Sequence, residues 1–403
     1  MFPYCKEEPL VSKKVGFSTK SIHSGEKICP MTGSITPPIY QTSNFGFADL
    51  DSLRKASADP SKGYFYTRLS NPTFEVVEKK TADLMGTERA VVFSSGMAAL
   101  TTAIFSLVSS GDHIVSAYDI YGGTFNFFVN VLPRHGVTVD LVDTTDPEKL
   151  GDSIKPNTKI LFFESPTNPL LKLMDISEVA RIGKQRGVIT FMDNTFATSF
   201  NQRPLELGVD LEMQSATKYL GGHSDLLAGV VAGSESLIEK VMLSRYVFGG
   251  IPDPHSAWLL MRGIKTLKVR MEAHNRNGIE VARFLEKHPA VERVYYPGLK
   301  CHPQHDLAKR QMNGFGGIVS FELKGTGGAI GRFFEKIRIF QLAASLGGIE
   351  SLACPPALTT HRRLSDSQRS KAGIKDNLIR LSVGIEDIQD LFEDLSQALS
   401  SIS

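Results

Sequence analysis

The sequence predicts an α/β protein: a mostly parallel sheet covered by helices in a large domain, followed by a smaller α+β domain. Three observations carry this. From about residue 63 to 255, short β-branched or apolar runs alternate with helical stretches, the rhythm of strands joined by crossover helices. Beyond Pro252 and Pro254 the pattern turns to a long helical periodicity, which marks a change of architecture. The 403 residues, 41% of them hydrophobic, supply enough apolar material for two cores.

Residues 1–62 mix Pro37-Pro38, glycine and polar residues with little periodicity, and read as an extended arm lying on a neighbouring subunit. Residues 63–257 form the large domain, with strands expected at 90–93, 113–115, 137–139, 159–163 and 188–192. Residues 258–403 form the small domain. A long helix over about 256–288, stopped by Pro289, leads into it and repeats Ile279, Ala282 and Leu285 on one face. Strands are expected at 291–296 and 318–323, and a last amphipathic helix groups Ile388, Leu391, Phe392, Leu395 and Leu399. The uncharged run 90–110 approaches the length of a membrane span. Ser94, Ser95, Gly96, Thr101 and Thr102 interrupt it, so a strand, a turn and a buried helix are expected, and no membrane partner.

Lysine plus arginine number 45 and aspartate plus glutamate 43, a net charge of +2, which gives no reason to expect nucleic acid or an anionic membrane as partner. A small molecule is the expected partner. Cys5, Cys29, Cys301 and Cys354 have no paired spacing and suit reduced thiols in the cytoplasm. The first residues lack an apolar core followed by a small-residue cleavage site, so no secretory signal is expected. Cys301-His302-Pro303-Gln304-His305 has metal-ligand residue types, but Pro303 breaks the helical spacing and no fourth ligand is apparent, so no metal is expected.

Three segments carry chemistry. Ser215-Ala216-Thr217-Lys218-Tyr219-Leu220-Gly221-Gly222 sets a lysine among small hydroxylated residues and a glycine pair. A nucleophilic lysine needs partial desolvation or nearby cations, and neighbouring hydroxyls can bind phosphate. An ordinary surface lysine is the plain alternative for that segment alone. Asp193 follows an apolar strand, at the end where ligands of open α/β sheets sit, and a carboxylate there can hold a pyridine nitrogen protonated. A turn aspartate is the alternative. Ser94-Ser95-Gly96-Met97-Ala98 joins a strand to a helix, and the exposed N–H groups of such a helix start suit a phosphate as well as an ordinary cap. Gly314-Phe315-Gly316-Gly317 lacks the spacing and following helix of a dinucleotide site.

Together with Tyr66-Thr67-Arg68, Asn71-Pro72-Thr73, Tyr121-Gly122-Gly123-Thr124, Glu164-Ser165-Pro166-Thr167-Asn168-Pro169, Ser345-Leu346-Gly347-Gly348 and Arg380-Leu381-Ser382-Val383-Gly384, these segments resemble the Cys/Met-metabolism family of pyridoxal-phosphate (PLP) enzymes over nearly the whole chain. The resemblance implies the fold-type I PLP-dependent transferase fold and pyridoxal 5'-phosphate joined to Lys218. It implies Asp193 at the pyridine nitrogen, Tyr121 stacked on the ring, and Gly96, Met97, Ser215 and Thr217 at the phosphate. Tyr66 and Arg68 resemble the pair that reaches the phosphate of a neighbouring subunit, which implies a homotetramer of two dimers with active sites shared between chains. Arg380 is expected to hold the substrate α-carboxylate, with Asn168 and Ser345 beside it, and Glu350 to meet a distal ammonium. Lys218 is the expected proton shuttle and Tyr121 the acid for the leaving thiolate.

Within the family, Gly123 stands where methionine γ-lyases commonly carry cysteine. Phe125-Asn126-Phe127 stands where cystathionine γ-lyases often place an arginine. The block Ser345–Leu352 resembles the γ-lyases, while 121–126 and 360–365 also resemble sulfhydrylases. The expected reaction is γ-elimination on L-methionine, L-cystathionine or L-homocysteine; the alternative is γ-replacement on an activated homoserine ester. Phe125, Phe127 and Phe128 either favour an uncharged substrate tail or belong to the core, and residues 361–375 read as a solvated loop near the entrance.

Overall fold

The computed structural model describes residues 15–58, 63–325, 328–362 and 365–402. The five expected runs of the first half become β1 (Arg89–Phe93), β2 (His113–Ala117), β3 (Thr138–Val142), β4 (Thr158–Glu164) and β5 (Ile189–Asp193). Two further strands, β6 (Leu211–Gln214) and β7 (Gly229–Gly233), complete a seven-stranded sheet in the order β1-β7-β6-β5-β4-β2-β3. Every neighbouring pair is parallel except those of β7, which runs antiparallel to both β1 and β6. β6 lacks a strand signature because Glu212 and Gln214 interrupt it. Both are buried, and the Glu212 carboxylate accepts from Asn194 Nδ2 at 2.8 Å and Gln214 Nε2 at 2.7 Å. The uncharged run 90–110 resolves into β1, the turn at Ser94 and Ser95, and the helix Gly96–Leu107. Among the described residues no helix is long and apolar enough to cross a membrane.

The arm is not free of its own chain. Its short helix Phe17–His23 lies on the helix Pro72–Met85, where the buried Lys80 ammonium donates to the carbonyls of Ser21 and Ile22 at 2.8 and 2.9 Å and pairs with Glu26 at 3.1 Å. Trp258 Nε1 donates to Pro37 O at 3.0 Å. Residues 1–14 and 59–62 of the arm lie outside the described residues.

The long helix expected over 256–288 is two helices, Pro254–Lys265 and Leu267–Lys287. They part at Thr266, whose hydroxyl donates to Gly263 O at 3.1 Å and accepts from Arg270 Nε at 3.1 Å. The first joins the large core through Ala257, Leu260, Met261 and Ile264 and spans the expected boundary at 257/258. The passage between cores runs along the second helix: Leu267 and Met271 join the large core, while Val281, Ala282 and Leu285 join the small one. There β8 (Val291–Tyr295), β9 (Ile318–Leu323), β10 (Gln341–Leu342), β11 (Leu352–Cys354) and β12 (Leu378–Ser382) form a second sheet in the order β10-β11-β12-β9-β8. All five apolar positions expected on the last helix, Ile388–Ser400, meet that core.

The carboxyl ends of β4, β5 and β6 lie side by side, with Glu164 opposite Asp193 and Asp193 opposite Met213. β7 brings Gly229 under the start of the helix Gly96–Leu107, where a Cβ would stand 2.3 Å from Ser95 O and 2.8 Å from Gly96 Cα. No side chain fits that approach. Gly229→Ala is therefore expected to lower unfolding free energy by about 1–3 kcal/mol in urea titration; unchanged stability would contradict this packing.

Candidate active site

A cavity of about 990 Å³ opens over those strand ends, between the two sheets. Gly96, Met97, Tyr121, Asn168, Asp193, Ser215, Thr217, Lys218, Ser345 and Arg380, ten of the residues singled out from sequence, all line it.

One end is built for an anion. Ser95 caps the helix Gly96–Leu107, its hydroxyl accepting from Ala98 N at 3.1 Å, which leaves the first-turn N–H groups of Gly96 and Met97 ahead of any helical acceptor. A Cβ on Gly96 would stand 2.9 Å from Ser215 Cβ, so glycine is what admits the Ser215 hydroxyl to the helix start. Thr217 is pinned to Ala228, donating its N–H to the carbonyl at 3.1 Å and accepting the Ala228 N–H at 3.0 Å. A ring of hydroxyls and amide donors at a helix N-terminus fits a phosphate.

The opposite floor is acidic. Burial pushes the Asp193 carboxyl upward, while the Thr195 hydroxyl and N–H, at 2.5 and 2.9 Å, and the Lys218 ammonium pull it back. A carboxylate so buried is best stabilised by a cation, which a protonated ring nitrogen supplies. The Thr195 hydroxyl also accepts from Ser215 N at 2.8 Å and so ties the acid to the phosphate end.

Lys218 lies between Asp193 and Arg380. Its Nζ donates to Ser345 Oγ at 2.7 Å. Burial first, then the Arg380 charge, pull its ammonium down to about 8, against the opposing pull of Asp193. The loop that carries it is clamped from behind by the buried Arg270, whose guanidinium donates to Tyr219 O at 2.6 Å and Gly263 O at 2.8 Å.

On the second sheet, β12 presents Arg380, 2% exposed. Its Nη1 donates to Asn168 Oδ1 at 3.0 Å and its Nη2 to Ser345 O at 2.8 Å, while its Nε is buried without a partner among the described residues. A guanidinium held by two partners with one buried donor left unpaired fits a carboxylate ligand. Ser345 has φ of 85°, a strained setting for a non-glycine residue, and binds both Lys218 and Arg380.

Three expected residues are not at this cavity. Tyr66 and Arg68 are exposed, the guanidinium lying 5.7 Å from the Tyr66 ring centroid and donating to Tyr246 O. Glu350 does not line it either and accepts from Ser224 Oγ. Conversely, His361 does not belong to a solvated loop: it is buried beside Arg380, in hydrogen-bond contact with the backbone of Asn168 and Ile120, and burial lowers it to about 4. Arg363 and Leu364 of that segment lie outside the described residues. Phe127 and Phe128 are core, whereas Phe125 is buried and also lines the cavity. Thr195, Glu164, Arg270 and His361 have no expected role at the site from sequence. The first two had a signal, lying beside expected strand ends; the others are brought in by the tertiary fold.

The family description "Cys/Met metabolism PLP-dependent enzyme" matches residues 18–400. The chain is 46% identical to the cystathionine beta-lyase of Lactococcus lactis subsp. cremoris (strain MG1363) over 94% of this chain and 98% of that one. It is 42% identical to the L-methionine gamma-lyase of Pseudomonas putida over 97% and 98%. The crystal structure of cystathionine gamma-lyase from Lactobacillus plantarum complexed with L-serine superposes with a TM-score of 0.91 at 42% identity, covering 96% of this chain and 99% of that one. The fold is therefore that of the fold-type I PLP enzymes. The chain belongs to the Cys/Met-metabolism family of PLP-dependent enzymes, is of the carbon–sulfur lyase type, and uses pyridoxal 5'-phosphate.

Only the neutral amine of Lys218 can attack a carbonyl, and its share rises with pH. Capture of added cofactor by the apoprotein should therefore accelerate with pH, with a midpoint near the lowered value of about 8 rather than the ordinary 10.5. A midpoint at the ordinary value in stopped-flow absorbance would contradict the desolvation described.

Proposed function

We propose that the protein catalyses γ-elimination on a sulfur amino acid, L-methionine, L-cystathionine or L-homocysteine, with water entering and a thiol, ammonia and 2-oxobutyrate leaving. The observation that carries this is the placement of Lys218 within one cavity with Tyr121, Asp193 and Arg380, whose buried Nε has no partner among the described residues. Bound pyridoxal phosphate supplies an electron sink for charge developing at Cα and Cβ. Lys218 holds the cofactor and, once released, shuttles protons: it takes one from Cα, must give it up again to be a free amine, and then takes one from Cβ. Asp193 keeps the ring nitrogen cationic, and Gly96, Met97, Ser215 and Thr217 hold the phosphate.

Arg380 grips the substrate α-carboxylate, with Asn168 and Ser345 fixing the guanidinium. The Tyr121 hydroxyl gives the proton that lets the thiolate leave as a thiol. Tyr66 and Arg68, exposed on their own chain, serve the phosphate of a neighbouring copy in a homotetramer of dimers. Glu350, which accepts from Ser224 Oγ outside the cavity lining, has no part in this reading. Cys29, Cys301 and Cys354 are free thiols, which supports a cytoplasmic setting.

The test supplies holoenzyme with L-methionine, L-cystathionine or O-acetylhomoserine, with and without a thiol, and measures oxo acid. We expect 2-oxobutyrate without added thiol. Pyruvate from L-cystathionine would overturn the reading in favour of β-elimination, as in the Lactococcus relative's name. A thioether formed only with added thiol would favour γ-replacement. Lys218→Ala is expected to lower kcat by at least about 10⁴-fold and Tyr121→Phe by about 10²-fold; near-normal turnover in either variant contradicts the assigned proton transfers.

A further inference from the structure

Two carboxylates close the floor of the cavity. Glu164 and Asp193 are register partners at the carboxyl ends of β4 and β5, and both line it. Glu164 is 5% exposed, and its Oε1 accepts the Tyr121 N–H at 2.7 Å. The charged groups that face Glu164 are anions, Asp193 on β5 and Asp119 on the segment before Tyr121. Lys172 on the loop after β4, a cation near this group, is engaged by Asp119 at 2.5 Å. Asp193 has the stronger claim to a negative charge, since Thr195 and Lys218 both favour its ionised form.

Two anions side by side out of water cannot both persist, so one proton stays, and it stays on the acid with fewer stabilising partners. We propose that Glu164 is a positioning residue held as a neutral carboxylic acid: its carbonyl oxygen seats the Tyr121 loop, and its neutrality leaves Asp193 the one anion facing the cofactor. Burial, and next the charge of Asp193, raise its carboxyl well above the ordinary range, against the Tyr121 N–H. The turn it seats is closely packed. A Cβ on Gly122 would stand 2.2 Å from Thr360 O and one on Gly123 2.5 Å from the Tyr121 ring, so both positions call for glycine. The proposal rests on the assignment of Asp193 above, not on which sulfur substrate is cleaved.

The experiment compares Glu164→Gln and Glu164→Ala in the holoenzyme. Glutamine keeps an acceptor and a neutral donor. Glu164→Gln should leave the pH midpoint of the cofactor's visible band within about 0.3 unit of wild type and kcat/KM within about threefold. The infrared difference between wild type and Glu164→Gln at neutral pH should contain a carboxylic-acid carbonyl band. Glu164→Ala should lower kcat/KM by about 10- to 100-fold through the unseated Tyr121, again with little change in midpoint. A midpoint shift of about one unit or more in Glu164→Gln, with carboxylate bands in place of the acid band, would overturn the neutral acid. A Glu164→Ala variant with wild-type kcat/KM would overturn the positioning role. Asp193→Asn separates the two layers: wild-type cofactor affinity and midpoint in that variant sink the Asp193 assignment itself, whatever the Glu164 variants do.

Discussion

A lysine amine kept out of water between a guanidinium and a carboxylate is the constraint on which the rest of this structure turns. An ammonium in that setting loses hydration and feels the positive charge of Arg380, and both effects favour the neutral amine that chemistry at a carbonyl requires. The arrangement needs both sheets. β5 and the loop after β6 bring Asp193 and Lys218, while β12 and the loop before β11 bring Arg380 and Ser345.

The supporting residues fix these groups through backbone contacts. Arg270 holds the carbonyls of the Lys218 loop, Glu164 holds the N–H ahead of the Tyr121 ring, and His361 ties Ile120 and Asn168 together behind Arg380. Each is buried or nearly so, and each replaces water on a backbone group that would otherwise go unpaired. The strained backbone at Ser345 belongs to the same set, since that conformation lets its hydroxyl meet Lys218 while its carbonyl meets Arg380.

Much of this was legible in the sequence, for local reasons. The apolar runs end at Phe93 and Met192, and the structure ends β1 at Phe93 and β5 one residue later at Asp193, so the anion-binding turn and the acid could be placed on strand ends without coordinates. β6 was not legible, because its Glu212 and Gln214 look like loop residues until Asn194 is seen to satisfy the carboxylate. The break at Thr266 was hidden because a threonine inside a helical pattern carries no stop signal; a hydroxyl bonded on both sides makes it one. His361 is hidden for a similar reason, its neighbours being polar while its own ring is enclosed. Tyr66, Arg68 and Glu350 do not line the cavity of their own chain, a placement that motif positions along the sequence do not reveal.

The central claim is that the Lys218 amine is the point of attachment for the cofactor. Borohydride reduction of the holoenzyme fixes the cofactor to whichever amine holds it, and peptide mapping then identifies that residue. The account predicts a single modified peptide, the one that carries Ser215, Thr217 and Lys218. A modified peptide from elsewhere in the chain, or none, would contradict it.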